Sequence, residues 1–332
     1  MKRIKWIDFS KAIGIVLVVF AHALTKNTFI WNVIQQFHMP LFFVLSGYLF
    51  VGCSISKQLV IKKMKSLWFP FVIVNMISYI ILSLHNISII DVIKIVFMLK
   101  TSGVFGATWF LGSLFYISVF VAMIYKIINI YKPKLIVIIV VNIILIILFM
   151  MLGFYIPIKS YHLSATLMGM GYYLLGYNLK ITNAIKRLFN YNMVIKIIII
   201  IICISLLLYI STINKCSFSS GIYSNSLLSV VSALSGVLSV LLLSSMFCNS
   251  FLSKIGCYSL EIMIWHLFAF KLVILIQILI YQLDFMVINS YPYYDNHGIW
   301  LYILTVIGLI VPIFMSKMYN YFVKKNKYDI FY

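Results

Sequence analysis

The chain has 332 residues, 64% of them hydrophobic and only 10% charged, with a mean hydropathy of +1.10. A water-soluble protein of this length needs far more polar surface, so the composition excludes a soluble globular domain and points to a polytopic membrane protein. The 26 Lys and Arg against six acids give a formal charge of +20; the basic residues sit in short loops between apolar runs, so membrane topology explains them and no nucleic acid is expected.

Met1-Lys2-Arg3 resembles the start of a signal peptide, but no small-residue cleavage site follows, so the first apolar run is expected to stay as an anchor. Apolar segments of bilayer length fall at about 6–26, 32–53, 67–84, 105–126, 134–152, 161–180, 194–213, 226–248, 256–281 and 298–321. They predict an all-α protein, one membrane domain over 1–332, with about ten transmembrane helices in a plasma or inner membrane. With the N-terminus in the cytoplasm, nineteen Lys and Arg flank the inner ends of the spans and five (Lys26, Lys94, Lys100, Lys159 and Lys215) the outer ends. That bias predicts cytoplasmic termini on both sides of the chain. Lys11 and Lys271 lie inside spans. Segment 85–104 carries Asp91, Lys94 and Lys100 among apolar residues and reads as an amphipathic helix on the outer surface rather than an eleventh span. The five cysteines (Cys53, Cys203, Cys216, Cys248 and Cys257) lack metal-ligand spacing and read as small embedded side chains; neither a metal nor a bound cofactor is expected.

Ionisable residues at membrane depth are costly, and each is a functional-site hypothesis. In the first span Lys11 precedes His22 by eleven residues, within about 20° of three whole turns, so both share one helix face roughly 16 Å apart along the axis. A cation near one interface and an imidazole near the other suit an elongated substrate that touches both. Asp8, one turn before Lys11, can neutralise it, and snorkelling to the interface is the bland role for that lysine. His38 lies about 9 Å below the outer start of the second span, at a depth like that of His22, and Pro40 frees the Gln36 carbonyl beside it. Either imidazole can take a proton from an attacking hydroxyl. In the ninth span Glu261, the only glutamate, and His266 lie about 140° apart around the helix; Lys11 is the expected partner of Glu261. Trp109 reads as an interfacial aromatic or a sugar-stacking platform. His162 reads as interfacial; His85, His297, Asp284, Asp295 and the sequon Asn86-Ile87-Ser88 sit in outer loops. No phosphate loop, dinucleotide fingerprint or serine elbow occurs.

Together, Lys11 to His22, Phe37-His38-Met39-Pro40-Leu41-Phe42-Phe43 with Ser46-Gly47-Tyr48, Trp109-Phe110-Leu111 and Ile255-Gly256…Ser259-Leu260…His266 resemble the membrane acyltransferase-3 family, over nearly the whole chain. The fucose 4-O-acetylase-like branch, which includes the intercellular-adhesion polysaccharide modifier, is the most similar. Many members carry arginine where this chain has Lys11; lysine meets a phosphate as a point charge without the bidentate fork.

The resemblance implies transfer of an acetyl or succinyl group from cytoplasmic acyl-coenzyme A, acetyl-coenzyme A first, to a hydroxyl of an envelope polysaccharide or lipid-linked sugar. Lys11 would hold donor phosphates, His22 would act as general base, His38 would position the hydroxyl or stabilise developing charge, and Glu261 and His266 would shape the donor channel. Without the extra extracellular domain of some members, the acceptor is expected to be recognised by the membrane core and its outer loops. The rival reading, a polysaccharide exporter or flippase, fits buried polar residues but finds no inverted repeat in this chain.

Overall fold

A computed structural model describes residues 3–52, 55–83, 87–156 and 160–329, with side chains to residue 321 except Ser160. His85, Asn86, Cys53, Lys2 and Lys159 lie outside the described residues. In chain order the elements are α1 (Lys5–Ala23), α2 (Phe29–Tyr48), α3 (Lys57–Lys63), a π-helical turn over Met64–Trp68, and α4 (Phe69–Leu82). There follow α5 (Ile89–Met98), a 3₁₀ turn over Gly103–Thr108, α6 (Trp109–Ile130), α7 (Leu135–Tyr155), α8 (Leu163–Ile181), α9 (Ala184–Phe189) and α10 (Met193–Ile213). A two-stranded antiparallel hairpin, β1 (Cys216–Ser217) with β2 (Ile222–Tyr223), precedes α11 (Ser226–Met246), α12 (Ser250–Cys257), α13 (Ser259–Tyr281), a 3₁₀ turn over Phe285–Asn289, and α14 (Ile299–Asp329). The protein is an all-α polytopic membrane protein.

Every expected span falls on a helix. Among the described residues, eight helical stretches are long and apolar enough to cross a membrane: Lys5–Ala23, Lys57–Leu82, Ile89–Ile130 (which contains α6), Leu135–Tyr155, Met193–Ile213, Ser226–Met246, Ser259–Tyr281 and Ile299–Tyr321. The two that fall short, α2 and α8, carry Asn32, Gln35, Gln36 and His38, and Ser164, Thr166 and Asn178. Both are buried along most of their length, and a helix surrounded by other helices has no need of an apolar rim. The lipid-facing character sits instead on α7 and α10, where Ile136, Ile144, Ile198 and Ile201 are exposed. Ten residues make α5 only about 15 Å long, too short to span. It carries its charge as an ion pair of Asp91 with Lys100 (2.7 Å) and Lys94 (3.7 Å). The expected 256–281 helix is broken at Tyr258 into α12 and α13.

The chain forms two compact units, Met1–Trp31 with Cys248–Tyr332, and Asn32–Phe247. In the first, α12 approaches α1 so closely that a Cβ on Gly256 would overlap the Asp8 carbonyl; Gly308 likewise admits Phe270 and Val19. In the second, α2 and α8 cross through a reciprocal pair of glycines, Gly47 against the Tyr173 carbonyl and Gly176 against the Val44 carbonyl, which is how membrane helices gain van der Waals contact. Asparagine side chains cap α10 and α11: Asn192 accepts from Ile195 N–H and Asn225 from Leu228 N–H.

Candidate active site

The first unit holds four of the expected residues, Lys11 and His22 on α1 and Glu261 and His266 on α13. Gly256 lies level with Asp8 and Ala12 of α1, and ten residues further along each chain stand His266 and His22. The two segments therefore run in parallel register, and equal rise carries both imidazoles to one level. Their ring centroids are 5.1 Å apart and the rings tilt by 45°. His22 is half-buried and His266 fully buried.

The tautomer of His266 follows from its surroundings. Its Nδ1 lies 2.8 Å from the Ile262 carbonyl oxygen, which can only accept, so Nδ1 carries the proton and donates. Nε2 is then a bare lone pair, buried, with no hydrogen-bond partner among the described residues. The same reasoning applies to His38 in the second unit, whose Nδ1 donates to the Ile34 carbonyl at 2.7 Å. Both histidines thus turn a basic nitrogen away from their own helix, the form a general base requires.

Lys11 sits one turn above Asp8 and is half-buried. Arg3 Nη1 donates to the Cys257 sulfur at 2.6 Å. The contact of Arg3 with Cys257 at this end of α1 escaped the sequence, because Arg3 read only as a topology signal. The expected Lys11–Glu261 ion pair is not formed, nor an ion pair of Lys11 with Asp8, among the described residues. The register explains it: Glu261 lies five residues beyond Gly256, about six residues or 9 Å above Lys11. Glu261 Oε2 is buried without a hydrogen-bond partner among the described residues.

In the second unit the Trp109 ring is packed rather than open, with 5% exposure. His162 stacks on it at 4.9 Å and 18°, and Phe218 lies at 6.4 Å and 24°. Two successive left-handed residues, Tyr161 and His162, turn the chain into α8, and His162 Nδ1 donates to the Ser219 carbonyl at 2.8 Å. The 3₁₀ turn ahead of Trp109 is tied down by Asn75, which donates to Thr108 Oγ1 and accepts from Ser102 N–H, both at 2.8 Å. The ring face expected of Trp109 as a sugar platform is thus covered by His162 in this structure. A polar chain of Tyr125, Asn142 and Asn178 (2.8 and 2.7 Å) crosses α6, α7 and α8. Another joins Gln36 of α2 to Asn214 and Ser232. On α3 and the π-turn a shallow cavity of about 550 Å³ is lined by Gln58, Ile61, Lys62, Lys65 and Ser66.

Residues 4–317 match the family model described as an acyltransferase domain, that of the acyltransferase-3 proteins. No curated protein and no solved structure matches the chain. A match over nearly the full length of a polytopic helical chain places the protein: it belongs to the membrane acyltransferase-3 family.

Proposed function

We propose that this acyltransferase moves an acetyl or succinyl group from cytoplasmic acyl-coenzyme A, acetyl-coenzyme A first, to a hydroxyl of an envelope polysaccharide or lipid-linked sugar. The resemblance to the fucose 4-O-acetylase-like branch, with its adhesion-polysaccharide modifier, supports this choice of group and acceptor, and the positive-inside bias supports cytoplasmic termini in the cell membrane. The observation that carries the chemistry is the His22–His266 pair with its unpartnered buried Nε2.

In this reading Lys11 meets the donor phosphates as a point charge at the N-terminal mouth of α1. The pantetheine arm runs along the α1 face towards His22, a rise of about 16 Å from Lys11. Its amide N–H groups are donors, and the Glu261 carboxylate oxygen is a buried acceptor that wants one. His22 takes the proton of the acceptor hydroxyl as its oxygen attacks the thioester carbonyl. The carbon–sulfur bond breaks, an ester forms, and the proton goes to the departing coenzyme A thiolate. The lone pair of His266 beside that ring stabilises the imidazolium that forms. His38, Trp109 and the Lys62–Lys65 cavity remain candidates for hydroxyl positioning, sugar contact and donor phosphate, on the strength of their chemistry alone.

Mass spectrometry of envelope polysaccharide from cells with the intact gene, the deletion and His22→Ala tests the reading. One ester-linked acyl mass is lost in both altered strains while glycan amount is unchanged. Unaltered esters, or glycan trapped inside the cell, overturn it.

A further inference from the structure

The segment between α13 and α14 is held by side chains that neither the fold nor the proton chemistry above requires. The embedded cation Lys271 spends its ammonium on two backbone carbonyls of this segment, Ile288 at 2.8 Å and Ser290 at 2.5 Å. Lys271 precedes the end of α13 by ten residues, so the chain leaves Tyr281 and turns back alongside the helix by about two turns, once the reach of the lysine stem is counted. It then climbs again. The amide nitrogen of Gln277 donates to the Asp295 carbonyl at 2.8 Å. Asn296, buried, donates to the Ala23 carbonyl (2.9 Å) and to Thr25 Oγ1 (3.1 Å), and the Tyr293 hydroxyl donates to the Leu24 carbonyl (3.1 Å). The segment 283–297 is a strap fastened to the three residues that follow His22.

Three features of the strap have the chemistry of a carbohydrate site. Tyr291 and Tyr294 are 51% and 44% exposed as residues, and flat amphipathic rings offer a sugar an apolar face and a hydroxyl. The Asp295 carboxylate, between them and the anchor, is an acceptor for sugar hydroxyls. Gln277, whose nitrogen is committed to the strap, leaves its Oε1 fully buried with no hydrogen-bond partner among the described residues. A buried acceptor without a donor is met by a ligand that brings one, and a sugar hydroxyl does so.

From this we infer that the 283–297 strap is the acceptor-binding element: Tyr291, Tyr294, Asp295 and the open oxygen of Gln277 hold a saccharide unit beyond the end of α1 that carries His22, and Lys271 positions the strap for it. This rests on the acyl-transfer reading above. The test uses membranes carrying the full-length protein, radiolabelled acetyl-coenzyme A, and the unacylated envelope polysaccharide purified from cells that lack the gene. Tyr291→Ala with Tyr294→Ala, and separately Gln277→Leu, are expected to raise the acceptor KM at least fivefold with donor KM and kcat within twofold of wild type. Tyr291→Trp and Tyr294→Trp restore it. Lys271→Met gives the same split and Lys271→Arg less of it. An unchanged acceptor KM overturns the inference, as does an equal loss on both substrates. If the wild-type protein transfers neither an acetyl group nor, from succinyl-coenzyme A, a succinyl group to the polysaccharide, it is the acyl-transfer reading that fails.

Discussion

The His22 and His266 rings stand 5.1 Å apart, and the Nε2 of His266 meets no hydrogen-bond donor among the described residues. A proton that arrives on His22 is therefore next to a dry base of the right tautomer. His22→Ala is expected to lower kcat by about 10²–10⁴. His266→Gln, which keeps a polar group but loses the base, lowers it with donor KM unchanged. The double variant is no slower than His22→Ala alone, since residues that act as a unit are not additive. Single-turnover acetyl transfer in membranes measures all three, and a fully multiplicative double variant argues against the pair.

Lys11 meets a ligand, if the donor runs along α1, by a charge-assisted contact worth about 1.5–3 kcal/mol. Lys11→Met is accordingly expected to raise donor KM about tenfold or more, while Lys11→Arg keeps it near wild type or improves it by adding the bidentate fork. Titration with acetyl-coenzyme A at saturating acceptor gives the answer.

Gly256 sets the register that brings the imidazoles level. In Gly256→Ala the new Cβ meets the Asp8 carbonyl, so α12 is pushed off α1 at a cost of about 1–3 kcal/mol. The expected result is a lower Tm in detergent together with loss of turnover. Gly298→Ala has open space around its Cβ but a left-handed backbone, so it is a milder control whose cost is conformational only.

Asn142 both accepts from Tyr125 and donates to Asn178 in a buried chain. Asn142→Leu leaves both neighbours unpaired and is expected to cost about 1–3 kcal/mol. Thermal unfolding in detergent measures it, and Tyr125→Phe in the same background recovers part of the loss by removing one of the two orphans.

The strap has a predictable response to acid. The Asp295 carboxylate accepts from the backbone N–H of His297 (2.9 Å) and from its ring (2.8 Å), and these bonds hold its pKa below the usual carboxylate range. A depressed folded pKa contributes stability that is present above the unfolded value and is lost as pH falls through the folded one. The turn Asp295–His297 is thus expected to loosen only below the ordinary carboxylate range, while the fastenings of the strap through Lys271, Gln277, Tyr293 and Asn296 do not involve this carboxylate. Limited proteolysis between residues 283 and 297 against pH reads this, and Asp295→Asn, already loose, shows no acid step.

That the long apolar segments are helices was legible because a run of about twenty apolar residues has one physical solution in lipid. That α5 is a short helix of its own was legible from Asp91 and Lys94, but the ion pair of Asp91 with Lys100, just past its end, was not. Nor was depth along the ninth span. Counted from its apolar start, His266 belongs at mid-membrane and Glu261 beside Lys11; the close approach of Gly256 to Asp8 and Ala12 shifts the whole helix by about 9 Å and pairs His266 with His22 instead. Only tertiary contact carries that register. The stack of His162 on Trp109 depends on two left-handed residues that composition does not announce. The strap was invisible because its partners are carbonyls, which every residue has.

That last property has a consequence for how such a protein diversifies. The strap clips to main-chain oxygens of Ala23 and Leu24, while Lys271 and Gln277 clip to its own main-chain oxygens at Ile288, Ser290 and Asp295. Side chains at positions such as 291 and 294 hold none of these fastenings. They can be exchanged without loosening the fixture, so one catalytic chassis can carry a succession of interchangeable grips.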